Sequence, residues 1–319
     1  MEPVHGSSLK RLNSASEDRI SRMPDDVLTD IMDHLPIEDA VRTSILSRNW
    51  RYKWHSLTQL RLNLGKHSCC IERNISTILL SLNGPVTNFD LCVKHYYVSD
   101  VVDISSWVLF LSRKGIKKLT IFNFYQTLEL PNHLFSCSEL KHMSLYKCCF
   151  HLPTNFRGFP NLLTLDLSHV VFKSGTYGKF ISQCPLLKSL TIFVSFRTIG
   201  ETIKLMEIAN VERLNVLSLP FYMLENITTT ACVFHLLGYF PQLQELHLDF
   251  RTCKFLADGD KDKLFFSPSL KVVSLSVVDF SNTIMLSFIV ELICCSPNLK
   301  TLRITEGIKE LYFIVLIYL

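Results

Sequence analysis

The chain has 319 residues, 48 % of them hydrophobic and 19 % charged, and carries a net charge of +4. This composition supplies ample material for a continuous core and excludes a disordered chain, apart from a polar tail over residues 1–17. The positive charge is spread along the sequence, and its densest stretch, Arg48, Arg51 and Lys53, reads as a solvated helix face, so no nucleic-acid partner is expected.

Residues 18–56 read as three short amphipathic helices. Pro24 suits a first helical position, and Asp25 and Asp26 favour the positive end of the helix dipole. Leu28, Ile31, Met32 and Leu35 then fall on one face before Pro36 ends the segment. Glu38 and Asp39 open a second helix whose Ala40, Val41, Ser44 and Ile45 share a face, and Trp50 and Trp54 sit one turn apart on a third. A helical unit of about 40 residues buries too little surface to stand alone, so it reads as a docking module.

At these residues the run from Met23 to Trp54 resembles an F-box of the plant type, with both prolines, the aliphatic spacing and the final tryptophans in place. Met23 stands where the motif usually has leucine, a volume-conserving swap. The resemblance implies binding to a Skp-family adaptor and, through it, to a cullin scaffold of a ubiquitin ligase. Carried over residue by residue, the adaptor-facing positions are Pro24, Leu28, Ile31, Leu35, Pro36, Ile45, Leu46 and Trp50.

From residue 57 to 319 the chain follows a repeat of the form apolar, two residues, apolar, one residue, apolar. Clear copies are Ile116/Leu119/Ile121, Leu140/Met143/Leu145, Leu162/Leu165/Leu167, Leu187/Leu190/Ile192, Val211/Leu214/Val216, Leu243/Leu246/Leu248, Leu270/Val273/Leu275 and Leu299/Leu302/Ile304. The mean step is about 26 residues, inside the span of about 20 to 29 typical of leucine-rich repeats, with individual gaps from 22 to 32. Two weaker copies, Leu57/Leu60/Leu62 and Val86/Phe89/Leu91, reach back to the helical unit. Cys184-Pro185, Phe240-Pro241, Ser267-Pro268 and Ser296-Pro297 announce their strands, where proline removes no ladder hydrogen bond.

The expected fold class is therefore α/β: an N-terminal three-helix unit followed by an irregular solenoid with a parallel concave sheet. Segments such as Lys179 to Cys184 and Ile284 to Cys295 should cover its convex side. The asparagine of the common repeat is replaced by Phe124, Cys148, Val170, Ser195, Leu219, Arg251, Val278 and Gly307, which predicts uneven curvature. This resembles the repeat region of plant F-box proteins. Such proteins often carry a further FBD-type domain, for which nothing after Ile308 leaves room.

Strand alternation puts Phe122 and Tyr146 in one exposed column of the concave face, with Phe193 two strands further on. Glu245, His247 and Asp249 form an acidic cluster on a single strand. The expectation is that the aromatic column anchors a protein substrate while the acidic strand selects a basic segment of it.

No catalytic motif appears, and His247 with its neighbouring carboxylates forms no triad with a nucleophile, so the chain is expected to be a non-catalytic adaptor. The eleven cysteines show no paired C-x-x-C spacing, and with no secretory signal they are expected as free thiols in the nucleus or cytoplasm, without metal or cofactor. The apolar run Leu311 to Leu319 is shorter than the roughly 20 residues of a membrane span, so no membrane association is expected. The function implied is substrate recognition within a Skp-cullin-F-box ubiquitin ligase. The alternatives are a ligase-independent F-box scaffold and a small-molecule receptor.

Overall fold

The computed structural model describes residues 20–306 and 313–315, except 21, 49, 66–68, 95–103, 175, 194–202, 205–206, 209–210, 225–229 and 252–265. The tail over 1–17, Ser195, Gly307 and most of the run 311–319 lie outside the described residues.

Two short helices come first. Helix α1, Asp25–Asp33, starts behind Pro24 with Asp25 and Asp26 in its first turn, and α2, Ile37–Arg42, repeats the device behind Pro36 with Glu38 and Asp39. A 3₁₀ turn, Thr43–Ile45, follows. The expected third helix is instead a run of turns in which N–H groups reach the carbonyl three residues back, closing in the 3₁₀ segment Lys53–Ser56. This short stretch has to bury Trp50 and still deliver Leu57 to the solenoid, and 3₁₀ winding advances about 2.0 Å per residue against about 1.5 Å for an α-helix.

The strands are, in chain order, β1 (Gln59–Leu64), β2 (Asn88–Val93), β3 (Lys118–Asn123), β4 (Leu128–Glu129), β5 (His142–Tyr146), β6 (Cys148–His151) and β7 (Thr164–Ser168). Then come β8 (Val171–Ser174), β9 (Ser189–Phe193), β10 (Val216–Pro220), β11 (Glu245–Asp249), β12 (Val272–Ser276), β13 (Thr301–Ile304) and β14 (Phe313–Val315). One sheet runs β1-β2-β3-β5-β7-β9-β10-β11-β12-β13-β14, parallel throughout except for the antiparallel pairing of β14 with β13. A second, parallel sheet, β4-β6-β8, lies beside it in sequence order. Both weaker copies of the repeat are genuine, since Leu60, Leu62, Phe89 and Leu91 point inward from β1 and β2 and are buried.

One copy of the repeat is out of frame with the expectation. The inward residues of β10 are Leu217 and Leu219, and Leu217 pairs with Leu190 and Leu246 in the parallel ladder. The triplet is therefore Leu214/Leu217/Leu219 in place of Val211/Leu214/Val216. The turn before each strand explains the error. In the proline-marked repeats the carbonyl of the residue before proline accepts from the N–H three residues on, as Cys184 does from Leu187 and Phe240 from Leu243, with proline in the second place of the turn. Val211 makes the same bond to Leu214 but is followed by glutamate, so the marker that fixes the frame is missing. With the frame corrected, the outward residues of this strand are Val216 and Ser218.

Successive repeats are joined where the strands begin by a forked hydrogen bond. One carbonyl accepts from two consecutive N–H groups of the next repeat: Thr58 from Thr87 and Asn88, Lys117 from Lys141 and His142, Lys188 from Asn215 and Val216, and so on to Lys271 with Lys300 and Thr301. The first strand has no preceding repeat to accept from Thr58 and Gln59. Asp33, at the end of α1 and buried, takes that place: its Oδ1 accepts both N–H groups at 2.9 and 3.1 Å, and its Oδ2 accepts the Thr58 hydroxyl at 2.5 Å. The helical unit is thus the N-terminal cap of the solenoid, supplied by a carboxylate standing in for a backbone carbonyl.

On the convex side lie the helices Cys69–Ser81, Ile104–Ser112, Tyr177–Ile181, Thr230–Gly238 and Thr283–Cys294, the third and fifth close to the predicted coverings. Between them and the sheet, Phe150, Phe156, Phe159 and Phe180 interlock, with Phe156 stacked on Phe180 at 5.3 Å. In place of an asparagine ladder, Cys148, Val170 and Val278 are buried apolar fillers, and Asn123, the one buried asparagine among the described residues, lies one position earlier, bonding Gln126 and Tyr125. Burial pushes the thiols of Cys137 and Cys184 up to about 12, so both stay protonated members of the core.

Two outcomes test this arrangement. Leu217→Ala should cost about 2–5 kcal/mol and Val216→Ala under about 1 kcal/mol by chemical denaturation, since only the former empties a core position. Asp33→Ala, which orphans two N–H groups, should destabilise by about 2–4 kcal/mol and strip Thr58 and Gln59 of hydrogen-exchange protection, whereas Asp33→Asn keeps an acceptor and should do less.

Candidate protein-binding surfaces

The helical unit divides the expected adaptor-facing residues into two groups. Ile45 and Leu46 stand out at 84 % and 66 % exposed, Ile31 and Pro24 are exposed too, and Pro36 caps α2 at the surface. Leu28 and Trp50, at 2 % and 7 %, belong to the chain's own core, and Leu35 packs against it. The reason is packing within the chain: α1 lies against the 3₁₀ segment Lys53–Ser56 with Leu28, Met32 and Asp33 buried, and Asp33 reaches Thr58 from its last turn. Sequence reasoning did not assign to this face four exposed side chains of the unit, Ile20, Met23, Val27 and Tyr52. Val27 and Ile31 lie four apart on α1, about 100° round the helix from the buried Leu28 and Met32, and this second apolar stripe is the signal that could have separated the faces.

The concave face carries the second surface. Register aligns Phe122 with Tyr146, and Ser168 with Phe193, so a serine interrupts the aromatic column. The gap is filled by a residue that alternation alone would send elsewhere. His169 follows β7 with φ of +54°, a left-handed conformation held by its N–H donating to the Phe193 carbonyl at 2.7 Å. Its ring lies 5.2 Å from both Tyr146 and Phe193. Phe124 joins from the other end, 5.5 Å from Tyr146, while Phe122 and Tyr146 are 6.2 Å apart. The result is a continuous row, Phe122/Phe124, Tyr146, His169, Phe193, of which sequence reasoning had found three members.

The acidic strand behaves differently. Asp249 Oδ2 is 3.1 Å from the Arg251 guanidinium and its Oδ1 accepts the Arg251 N–H, while Glu245 Oε2 lies 3.6 Å from His247 Nε2, an ion pair when the ring is protonated. Asp249 therefore already faces a cation of this chain, and Glu245 an imidazole. Further along, Asp166 sits mid-face with Ser144 and Ser168 donating to it, and desolvation raises its pKa against those two bonds. Among the described residues no three histidine, cysteine or acidic side chains gather as metal ligands, and no helix is long and apolar enough to cross a membrane.

Comparison with known proteins places this geometry. The F-box domain profile matches residues 20–61, and the profile for the repeats of the FBD-associated F-box protein At5g56370 matches residues 104–217. The F-box/FBD/LRR-repeat protein At1g13570 of Arabidopsis thaliana is 31 % identical over 92 % of this chain and 77 % of its own length. The chain belongs to the F-box/FBD/LRR-repeat family. The FBD-associated F-box protein At5g56370, also of Arabidopsis thaliana, is 34 % identical over 54 % of this chain, which spans 42 % of that relative. A leucine-rich-repeat protein of Leptospira interrogans, LIC12759, covers 81 % of the chain and 70 % of its own with a TM-score of 0.37 at 17 % identity, too distant to bear on function. The F-box match runs into β1, as expected if the F-box and the first repeat form one structural unit through Asp33.

The imidazoles of this F-box protein's concave face give a pH signature. Burial, followed by Lys118 and Lys141, lowers the pKa of His142, and burial followed by Lys147 lowers that of His169. The unfolded chain accepts these protons near pH 6.5 while the folded chain resists them, so the stability they confer is full above that pH and is lost as pH falls below it. The thermal midpoint should drop between about pH 7.5 and about pH 5.5, and by less in a His142→Gln/His169→Gln variant. Equal drops would assign the loss to other groups.

Proposed function

We propose that this chain is the substrate-recognition subunit of a Skp-cullin-F-box ubiquitin ligase. The exposed apolar residues of the F-box dock a Skp-family adaptor, the adaptor connects to a cullin, and the concave face of the repeats holds a protein substrate. The observation that carries the reading is the exposure of Ile45 and Leu46, together with Met23, Val27 and Ile31, on a unit whose buried apolar residues, Leu28, Met32, Ile37, Ala40 and Trp50, already join the core of the chain. Burying such side chains against a partner yields roughly 1.5 to 3 kcal/mol each before the costs of association. The chain performs no bond-making itself. Its contribution is positional: a substrate held near a charged conjugating enzyme meets it at a raised effective concentration, and the stiff joint at Asp33 keeps that distance defined.

Ile31→Asp/Leu46→Asp tests this reading. Both residues are exposed, so the fold should survive, whereas Leu28→Asp would place a charge in the core and confound the result. Capture of the adaptor should fall by at least about 30-fold, the effect of a single interfacial hot spot. A protein bound by the repeats should then accumulate in cells. Loss of adaptor binding with no change in the partner's abundance would instead identify a ligase-independent scaffold.

A further inference from the structure

The concave face between β3 and β9 is banded along the strands. Where the strands begin, Lys117, Lys118, Lys141 and Lys188 are exposed, and among the described residues none of the four lies within ion-pair distance of a carboxylate. That they act on one another's surroundings is visible at His142, whose protonation is opposed by both Lys118 and Lys141. The middle band is a floor of small polar side chains, Thr120, Ser144, Asp166 and Thr191, aligned across the four strands by the parallel register. Where the strands end stands the aromatic row of Phe122, Tyr146, His169 and Phe193. Lys118 and Phe122 are four residues apart on one strand, so the cationic and aromatic rims are about 13 Å from one another.

Resting on the reading of this face as the substrate platform, we propose that its preferred occupant is an extended peptide segment in which acidic residues alternate with aliphatic or aromatic ones. An extended chain laid across the strands sends successive side chains to opposite sides. Odd residues then meet the lysine rim and even residues meet the aromatic row. The peptide's N–H and C=O groups lie perpendicular to its side chains and face the hydroxyls and the Asp166 carboxylate of the floor, which can accept from N–H. Four strands about 4.8 Å apart span about 14 Å, the length of four to five extended residues at about 3.3 Å each. Charge complementarity decides the sign. The balance of charge on this stretch is cationic, four lysines against the one carboxylate of Asp166, while Glu245 and Asp249 on β11 already have His247 and Arg251 beside them, so an acidic segment is favoured over a basic one. A single-stranded nucleic acid would also satisfy lysines and aromatics, but its phosphates would have to pass Asp166 at the centre of the floor.

The test uses the full chain co-purified with its adaptor and fluorescence anisotropy with four labelled probes. These are an octapeptide alternating aspartate and leucine, its block isomer with all aspartates first, the alternating lysine and leucine analogue, and an oligouridine of equal length. The alternating acidic peptide should bind at least about tenfold more tightly than the other three, and more weakly as salt is added. Lys118→Glu/Lys141→Glu and Phe122→Ala/Tyr146→Ala should each weaken it about tenfold. Equal binding of the block isomer, tighter binding of oligouridine, or indifference to Lys118→Glu/Lys141→Glu overturns the proposal. The platform reading is tested separately by capture of partners from proteasome-inhibited cells. Capture lost in Phe122→Ala/Tyr146→Ala while the acidic peptide does not bind removes the proposed chemistry and keeps the platform; capture unchanged in both variants removes the platform as well.

Discussion

The solenoid depends on one recurring interaction, the carbonyl at the start of each strand that accepts from two consecutive N–H groups of the next repeat. It sets the parallel register, and with it which two side chains of each strand go inward. A chain built this way has an unsolved first member, because the opening strand finds no carbonyl before it. Buried N–H groups without acceptors are costly, and the Asp33 carboxylate removes that cost from the neighbouring module. The F-box is therefore part of the architecture of the repeats, and Leu28 and Trp50 are buried in that packing.

The same register writes the functional surface. Once strands stack in step, every outward position becomes a column across the molecule, and bands of like chemistry arise from residues about 25 positions apart in sequence. The aromatic row shows where this simple lattice ends. His169 reaches it only because the chain turns left-handed after β7, a conformation shared at the equivalent positions by Lys147 and Val277, with φ of +55° and +60°. Such conformations cost energy in non-glycine residues and persist where surrounding bonds enforce them, here the N–H bonds of Lys147 to Ser168 and of His169 to Phe193.

The two candidate binding surfaces answer to different forces. The F-box presents isolated apolar side chains whose burial would be driven by the release of water, a term indifferent to salt. The concave face combines aromatic area with lysines that have no carboxylate within ion-pair distance among the described residues, so binding there would be steered by charge and screened by ions. The two surfaces are joined through the bonds of Asp33 to Thr58 and Gln59.

Much was legible before any coordinates. The period of the repeat, the inward residues of nine of the ten parallel strands described in the main sheet, the helix starts behind Pro24 and Pro36, and the Phe122–Tyr146 pairing all follow from local rules: alternation in strands, turn chemistry at proline, and charge at helix ends. The repeat frame failed at β10, where the proline marker is missing, and the third helix failed where distance to be covered outweighed helix propensity. The amino-acid sequence by itself determined the module types, their order and the repeat, because these rest on patterns within a few residues of one another. Only the tertiary structure decided that Asp33 closes the solenoid, that Leu28 faces inward while Ile45 and Leu46 face out, and that His169 completes the aromatic row, because each depends on groups brought together from distant repeats or on a backbone conformation that a neighbouring strand imposes.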